Sequence, residues 1–121
     1  MENKIRTRSL GKLKIYIEPS HKIKDTSSIF RKMFPKSAYL HIISDAKKDG
    51  IMNASVYQTH SGFTTTGRIE KYQLEGDNSK LALCIELIDT RENLEKFFLK
   101  HKTLLKSNII IYKDVEFWET E

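Results

Sequence analysis

In the segment LKIYIE, Leu13, Ile15 and Ile17 alternate with Lys14, Tyr16 and Glu18. That period of two predicts a strand with one buried face. Pro19 ends it, because proline has no N–H to give to a sheet ladder. Residues 20–36 are polar and punctuated, with Ile29, Phe30, Met33 and Phe34 as an apolar cluster and Pro35 as a stop. Tyr39, Ile42, Ile43 and Ala46 then recur at i, i+3, i+4 and i+7. This is one face of a helix, with Ser37 placed to cap its start and Gly50 placed for a left-handed residue past its end. NASVYQTH (Asn53 to His60) is rich in β-branched and aromatic residues and reads as a strand. Its pairing partner is expected to begin around Arg68, in RIEKYQL. GDNS (Gly76 to Ser79) signals a turn. KLALCIELID (Lys80 to Asp89) is apolar at nearly every position, as a central strand would be. A second helix carries the stripe Leu94, Phe97, Phe98, Leu104 and Leu105, with His101 inside it. Asp89 or Thr90 can cap it, and Glu92, three residues after Asp89, favours Asp89 as in a capping box. NIIIYKDVEFWE (Asn108 to Glu119) predicts a long last strand, kinked at Lys113–Asp114.

The resulting order, β-α-β-β-α-β, is the ferredoxin-like split βαβ arrangement. It is an α+β fold in which an antiparallel sheet carries both helices on one face. Of Phe117 and Trp118, one must face away from the helices. An apolar sheet face left open on so small a domain implies that another subunit covers it. The expected organisation is a basic N-terminal arm over residues 1–12 and a single domain over 13–119.

Composition narrows the classes. The chain has 121 residues, 39% hydrophobic and 31% charged, and a formal net charge of +5. Residues 1–36 hold ten Lys or Arg against Glu2, Glu18 and Asp25, a net of +7, and residues 37–121 hold eleven against thirteen, a net of −2. A basic front can serve nucleic acid, anionic lipid or an anionic ligand. No run approaches the roughly 18 apolar residues of a membrane span, and the first residues lack a signal-peptide core. With one cysteine, Cys84, no internal disulfide can form, and a reducing, cytoplasmic setting is expected.

Catalytic signals are weak. The histidines stand at 21, 41, 60 and 101, without the close ligand pairs that zinc sites usually show, so no metal site is expected. Cys84, in the central strand, reads as a small buried thiol rather than a nucleophile. Asp45 and Asp49, at i and i+4, suit a solvated helix face. No nucleophile motif or phosphate-binding P-loop pattern is present, so the protein is not expected to be an enzyme and no cofactor is expected. RNA recognition on such a sheet needs paired aromatic and basic residues on its central strands, and no such segment stands there. The stretch HSGFTTTGR (His60 to Arg68) is different. Gly62 and Gly67 permit unusual backbone, and freed N–H groups, the hydroxyls of Thr64, Thr65 and Thr66, and Arg68 can hold a phosphate.

The ordered set LKIYI, GIMNASVYQTHSGF, LCIELIDTRENLEKFF and IIIYKDVEF resembles the PII-like bacterial and archaeal proteins known as domain of unknown function 190. The family's run from Gly through Ala-Ser/Thr-Val to Gly-Phe-Gly is matched by Gly50, Ile51, Ala54, Ser55, Val56, Gly62 and Phe63. Its Asp-x-x-Glu helix start and later aromatic pair are matched by Asp89, Glu92, Phe97 and Phe98. Thr64 stands in place of the third glycine, and residues 20–36 are longer than the family's pattern leads one to expect. LLKSN, with Lys106, stands where PII proteins proper carry a glycine-rich phosphate loop. The resemblance implies a homotrimer with clefts between subunits. It also implies an adenine nucleotide as effector, and a mobile T-loop after the second strand that docks on a target such as a membrane transporter. The implied ligand-binding residues are Gly62, Phe63, Thr64 and Thr65, with Arg68 as charge partner and Ser20 and His21 contributing from the end of the first strand. Two alternatives stand beside this reading: a structural or partner-binding trimer without a small ligand, and a basic nucleic-acid-binding ferredoxin-like domain.

Overall fold

The structure, a computed structural model, describes residues 4–17, 38–63, 68–75, 81–106 and 108–120. In chain order the elements are β1 (Ile5–Ile17), α1 (Ala38–Lys48), β2 (Asn53–Gln58), β3 (Ser61–Gly62), β4 (Glu70–Lys71), β5 (Leu83–Asp89), α2 (Arg91–Lys100), α3 (Lys102–Leu105) and β6 (Ile109–Thr120). Four strands form an antiparallel sheet in the order β2-β5-β1-β6. The chain thus has the α+β, ferredoxin-like topology expected from the order of its elements. β3 and β4 form a separate two-stranded ribbon between β2 and β5.

The period-two pattern decides which face closes. Leu13, Ile15 and Ile17 of β1 lie opposite Leu87, Ile85 and Leu83 of β5, and all six are buried. Ala38, Ile42 and Ala46 of α1, Leu94 and Phe97 of α2 and Leu105 of α3 pack on them. Burying each of the large side chains contributes roughly 1.5–3 kcal/mol, so this one layer of contact holds the domain together. Gly50 ends α1 as its position predicted. Its φ is +76°, its N–H donates to Lys47 O at 3.1 Å, and the Ile51 N–H donates to Ala46 O at 3.0 Å. That pair of bonds is a Schellman motif, and it turns Ile51 back onto the core.

Asp89 sits where β5 becomes α2 and is 5% exposed. Its carboxylate accepts from the Met52 N–H at 2.9 Å, the Thr90 N–H at 2.6 Å and Asn93 Nδ2 at 2.8 Å. Burial alone would raise its pKa. The bonds from Asn93, Thr90 and Met52 outweigh burial and hold it below the ordinary 3.8. Thr90, and not Asp89, is the N-cap: its hydroxyl accepts from the Asn93 N–H at 3.2 Å. The capping-box expectation fails because the Asp89 carboxylate is already committed to tying α2 to the start of β2.

Three further expectations are corrected. Residues 5–12 are not an arm but the first part of β1, paired with β6 from Ile5↔Thr120 onward. Arg8 lies 3.5 Å from Glu119 and over the Phe117 ring at 5.2 Å, and Lys12 is 3.3 Å from Glu86, so part of the basic front is spent inside the sheet. β6 pairs without interruption through Lys113 and Asp114, with no break in register where a kink was expected. The strand expected from Arg68 shrinks to Glu70–Lys71, because it pairs with β3 alone and never joins the main sheet. Residues 20–36 lie outside the described residues.

Gly11 is required by close approach. A Cβ there would stand 2.5 Å from Cε2 and Oη of Tyr112. That ring is held by Arg91, whose guanidinium lies 4.7 Å from its centroid, and by a 2.9 Å bond from its hydroxyl to Asp114. Gly11→Ala is therefore expected to destabilise the fold by about 1–3 kcal/mol in urea unfolding. Tyr112→Ala in the same chain should remove most of that penalty, a coupling read by a double-mutant cycle. Asp89→Asn should cost about 1–3 kcal/mol, since two backbone donors lose their anionic acceptor. Because the folded-state pKa of Asp89 is depressed, its contribution is complete above the unfolded value and is lost as pH falls through the folded one. Acid unfolding followed by circular dichroism should show a shallower loss of stability below about pH 4 in Asp89→Asn than in the wild type.

Candidate functional site

The sheet has a second face, opposite the helices, on which Leu10 and Cys84 are buried while Tyr57, Ile109 and Ile111 are exposed. Across it, register aligns Tyr57, Cys84, Tyr16 and Ile109 in one row and Ser55, Glu86, Lys14 and Ile111 in the next. Asn53, Ile88, Lys12 and Lys113 make the third row. The first row is apolar and the others grow more charged. Tyr57 is 55% exposed, Ile111 41% and Ile109 36%. Cys84, flanked by the two tyrosines, is buried and free. Burial raises its thiol pKa, a hydrogen bond with Tyr16 only partly offsetting this, so the thiol stays protonated near neutrality, as a packed cysteine should. By register Phe117 falls on the side of Ile109 and Ile111, and Trp118, 64% exposed, on that of Tyr112. The expectation that one of this pair faces away from the helices holds.

The hairpin departs from the apolar end of this face. β2 ends at Gln58, opposite Leu83, and Leu83 in turn lies opposite Ile17, the last residue of β1. Thr59 ties the exit to the main sheet: its N–H donates to Ala82 O at 3.1 Å and its hydroxyl to the same oxygen at 2.7 Å. One step further the Tyr72 N–H donates to His60 O, and the two rings lie 5.0 Å apart. Ser61 and Gly62 then pair with Lys71 and Glu70. Gly62 has φ +149°, a backbone that side-chain-bearing residues rarely adopt, and open space around it. The glycine is thus needed for conformation and not for room. Phe63, Ile69 and Leu74 are 73%, 71% and 89% exposed. So many exposed large side chains on one projecting ribbon are unusual on a solitary domain.

Of the residues expected to bind a ligand, Gly62 and Phe63 stand together at the ribbon tip, and Arg68 lies exposed across the loop, two residues before β4. Thr64, Thr65, Ser20 and His21 lie outside the described residues. Sequence reasoning missed His60 and Tyr72 as the brace of the hairpin, and Tyr16, Tyr57 and Ile109 as the apolar row beside it. Consecutive apolar residues at Val56–Tyr57 and Ile109–Ile110–Ile111 were the available signal, since they leave apolar groups on both sides of a strand. A separate open cleft of about 280 Å³ lies on the helix side, lined by Asp49, Ile51, Asn93, Lys96, Phe97 and Lys100. Lys100 there is already held by Asp49 at 3.1 Å. No helix among the described residues is long and apolar enough to cross a membrane.

Known structures share this architecture. CPII from Thiomonas intermedia K12, a nitrogen regulatory PII-like protein solved bound to ADP, AMP and bicarbonate, superposes with a TM-score of 0.62. The match covers 93% of this chain and 91% of that one at 14% identity. A PII-like signalling protein from Thermus thermophilus gives a TM-score of 0.52 at 10% identity, covering 93% and 91%. At such identities the likeness establishes the PII-like fold. Sequence relatives are nearer: a UPF0166 protein of Aquifex aeolicus is 30% identical over 81 residues, 67% of this chain and 76% of the relative. The UPF0166 protein MJ1524 of Methanocaldococcus jannaschii is 29% identical over 84 residues, 69% and 77% respectively. The profile of domain of unknown function 190, described as "Uncharacterized ACR, COG1993", matches residues 10–117. With most of the sheet and all three helices inside that match, the chain belongs to the domain of unknown function 190 family, and its fold is that of the PII-like proteins.

Proposed function

We propose that this protein is a non-enzymatic regulator of the PII type that binds an adenine nucleotide at the hairpin root, in clefts formed between three copies of the chain. The observation that carries the reading is the apolar row Tyr57–Cys84–Tyr16–Ile109, exposed on one chain at Tyr57 and Ile109 and adjoining the exit of a hairpin whose tip requires Gly62. A neighbouring copy laid on that row buries its apolar area and brings a second wall to the hairpin root. Nucleotide-bound CPII, with the same fold, supports an adenine nucleotide as the occupant.

In this reading Gly62, Phe63, Thr64 and Thr65 meet the nucleotide through backbone N–H groups, a ring face and hydroxyls. Arg68 balances phosphate charge, and Ser20 and His21 contribute from beyond the end of β1. Binding orders the hairpin, and the ordered hairpin is what a partner, such as a membrane transporter, recognises. The size of that switch is limited by the nucleotide's differential affinity for the two hairpin states.

Titration calorimetry with AMP, ADP, ATP and cyclic nucleotides is expected to show at least one binder. At a concentration about a hundredfold above its Kd, that ligand should add about 2.7 kcal/mol of apparent stability, a rise of several degrees in Tm. Gly62→Ala should leave the unliganded Tm within a few degrees, since the residue sits on an exposed ribbon, while weakening binding at least about tenfold through the changed backbone. A flat calorimetric and thermal response to every nucleotide would remove the ligand from this reading.

A further inference from the structure

The seam between α1 and α2 brings His101 against two residues of α1 that stand one turn apart. His41 and Asp45 lie one turn apart on α1, and His101 is the C-cap of α2, where its N–H donates to Phe97 O and Phe98 O. His41 Nε2 is 3.3 Å from Asp45 Oδ2, and His101 Nε2 is 3.5 Å from the same oxygen. One ligand-capable atom from each lies within 4.8 Å of the other two. His101 is 6% exposed, and its Nε2 is buried without a hydrogen-bond partner among the described residues. An imidazole nitrogen left so costs free energy unless something occupies the space it faces.

We propose that His41, Asp45 and His101 form a site for a divalent transition-metal cation of the zinc type, with an open fourth position. Donors about 2.0–2.1 Å from a tetrahedral zinc stand about 3.3 Å from one another, close to the two distances from the shared Asp45 oxygen. Two imidazoles and one carboxylate suit zinc, cobalt or nickel. They do not suit magnesium or calcium, which gather about six or more oxygen ligands. His101 is also fixed in place as a ligand, being the C-cap of α2 and 6% exposed. The rest of the setting is firm. The His101 ring packs on Phe97 at 4.4 Å and edge-on to His41 at 5.6 Å, and one turn along, Lys100 binds Asp49 at 3.1 Å. His41, with its side chain 23% exposed, gives the ion a path in. The absence of a metal site was expected because paired ligands are absent in sequence. That argument does not reach this cluster, since the second histidine comes from another helix. The cation would clamp the two helices that close the core, and the site is independent of the nucleotide reading.

The test uses the full chain, free of any affinity tag and stripped by chelator. Zinc chloride titrated in a calorimeter should bind at one ion per chain and raise Tm. Cobalt(II) in its place should give the intense visible bands of a four-coordinate ion, while magnesium should give neither response. His41→Ala, at a partly exposed position, should fold and lose at least about tenfold in zinc affinity, and Asp45→Asn should do the same. His101→Ala opens a core cavity, so its loss of binding counts only if its unfolding transition remains cooperative. No zinc binding by the wild type, or binding that His41→Ala and Asp45→Asn leave unchanged, would overturn the proposal.

Discussion

The three helices cover only one face of the four-stranded sheet, and most of what is distinctive here follows from that limit. Ile15, Ile85, Leu87 and Ile42 are fully buried because α1, α2 and α3 close over one side of β1 and β5. Side chains alternate across a strand, so every residue added to that core places a neighbour on the open side. Near the exit of β2 those neighbours are Tyr16, Tyr57, Cys84 and Ile109, not the charged groups that a solvated face would carry. The domain is held together through one face, and on the other Tyr57, Ile109 and Ile111 are exposed.

The same limit accounts for the position of the hairpin. β3 and β4 hold only two paired positions and add no strand to the sheet, so nothing in the core fixes how far the ribbon projects. Its root is nevertheless well anchored, by Thr59 on Ala82 and by the contact of His60 with Tyr72. An anchored root with an exposed tip is a fitting place for a segment whose order depends on a ligand. At the far end of the domain, Asp89 ties strand, helix and the entry of β2 into one joint, which keeps that end rigid.

Much of this was legible in the sequence wherever one face of an element meets the core and the other meets water. The α1 stripe, Gly50, the central strand and the order of elements all follow from period and punctuation. Residues 5–9 did not read as strand because IRTRS lies in a two-stranded extension of β1 and β6 exposed at every position, where no alternation is imposed. The capping assignment failed because Asp89 serves a bond to Met52, 37 residues away, which no local rule contains. At the hairpin, Gly62 was identifiable from its residue type, but the brace of His60 and Tyr72 depends on a pairing across the loop. His41 and His101 stand 60 positions apart and meet only once both helices dock.

The central claim is that copies of this chain cover the open sheet face. Sedimentation equilibrium on the full chain tests it most directly, with Tyr57→Glu measured in parallel. The account predicts a wild-type mass three times that of one chain, and a Tyr57→Glu variant that remains folded by circular dichroism yet sediments mainly as a single chain, because a carboxylate cannot be buried unpaired in an apolar seam. A wild type that sediments as one chain across the working concentration range would contradict it.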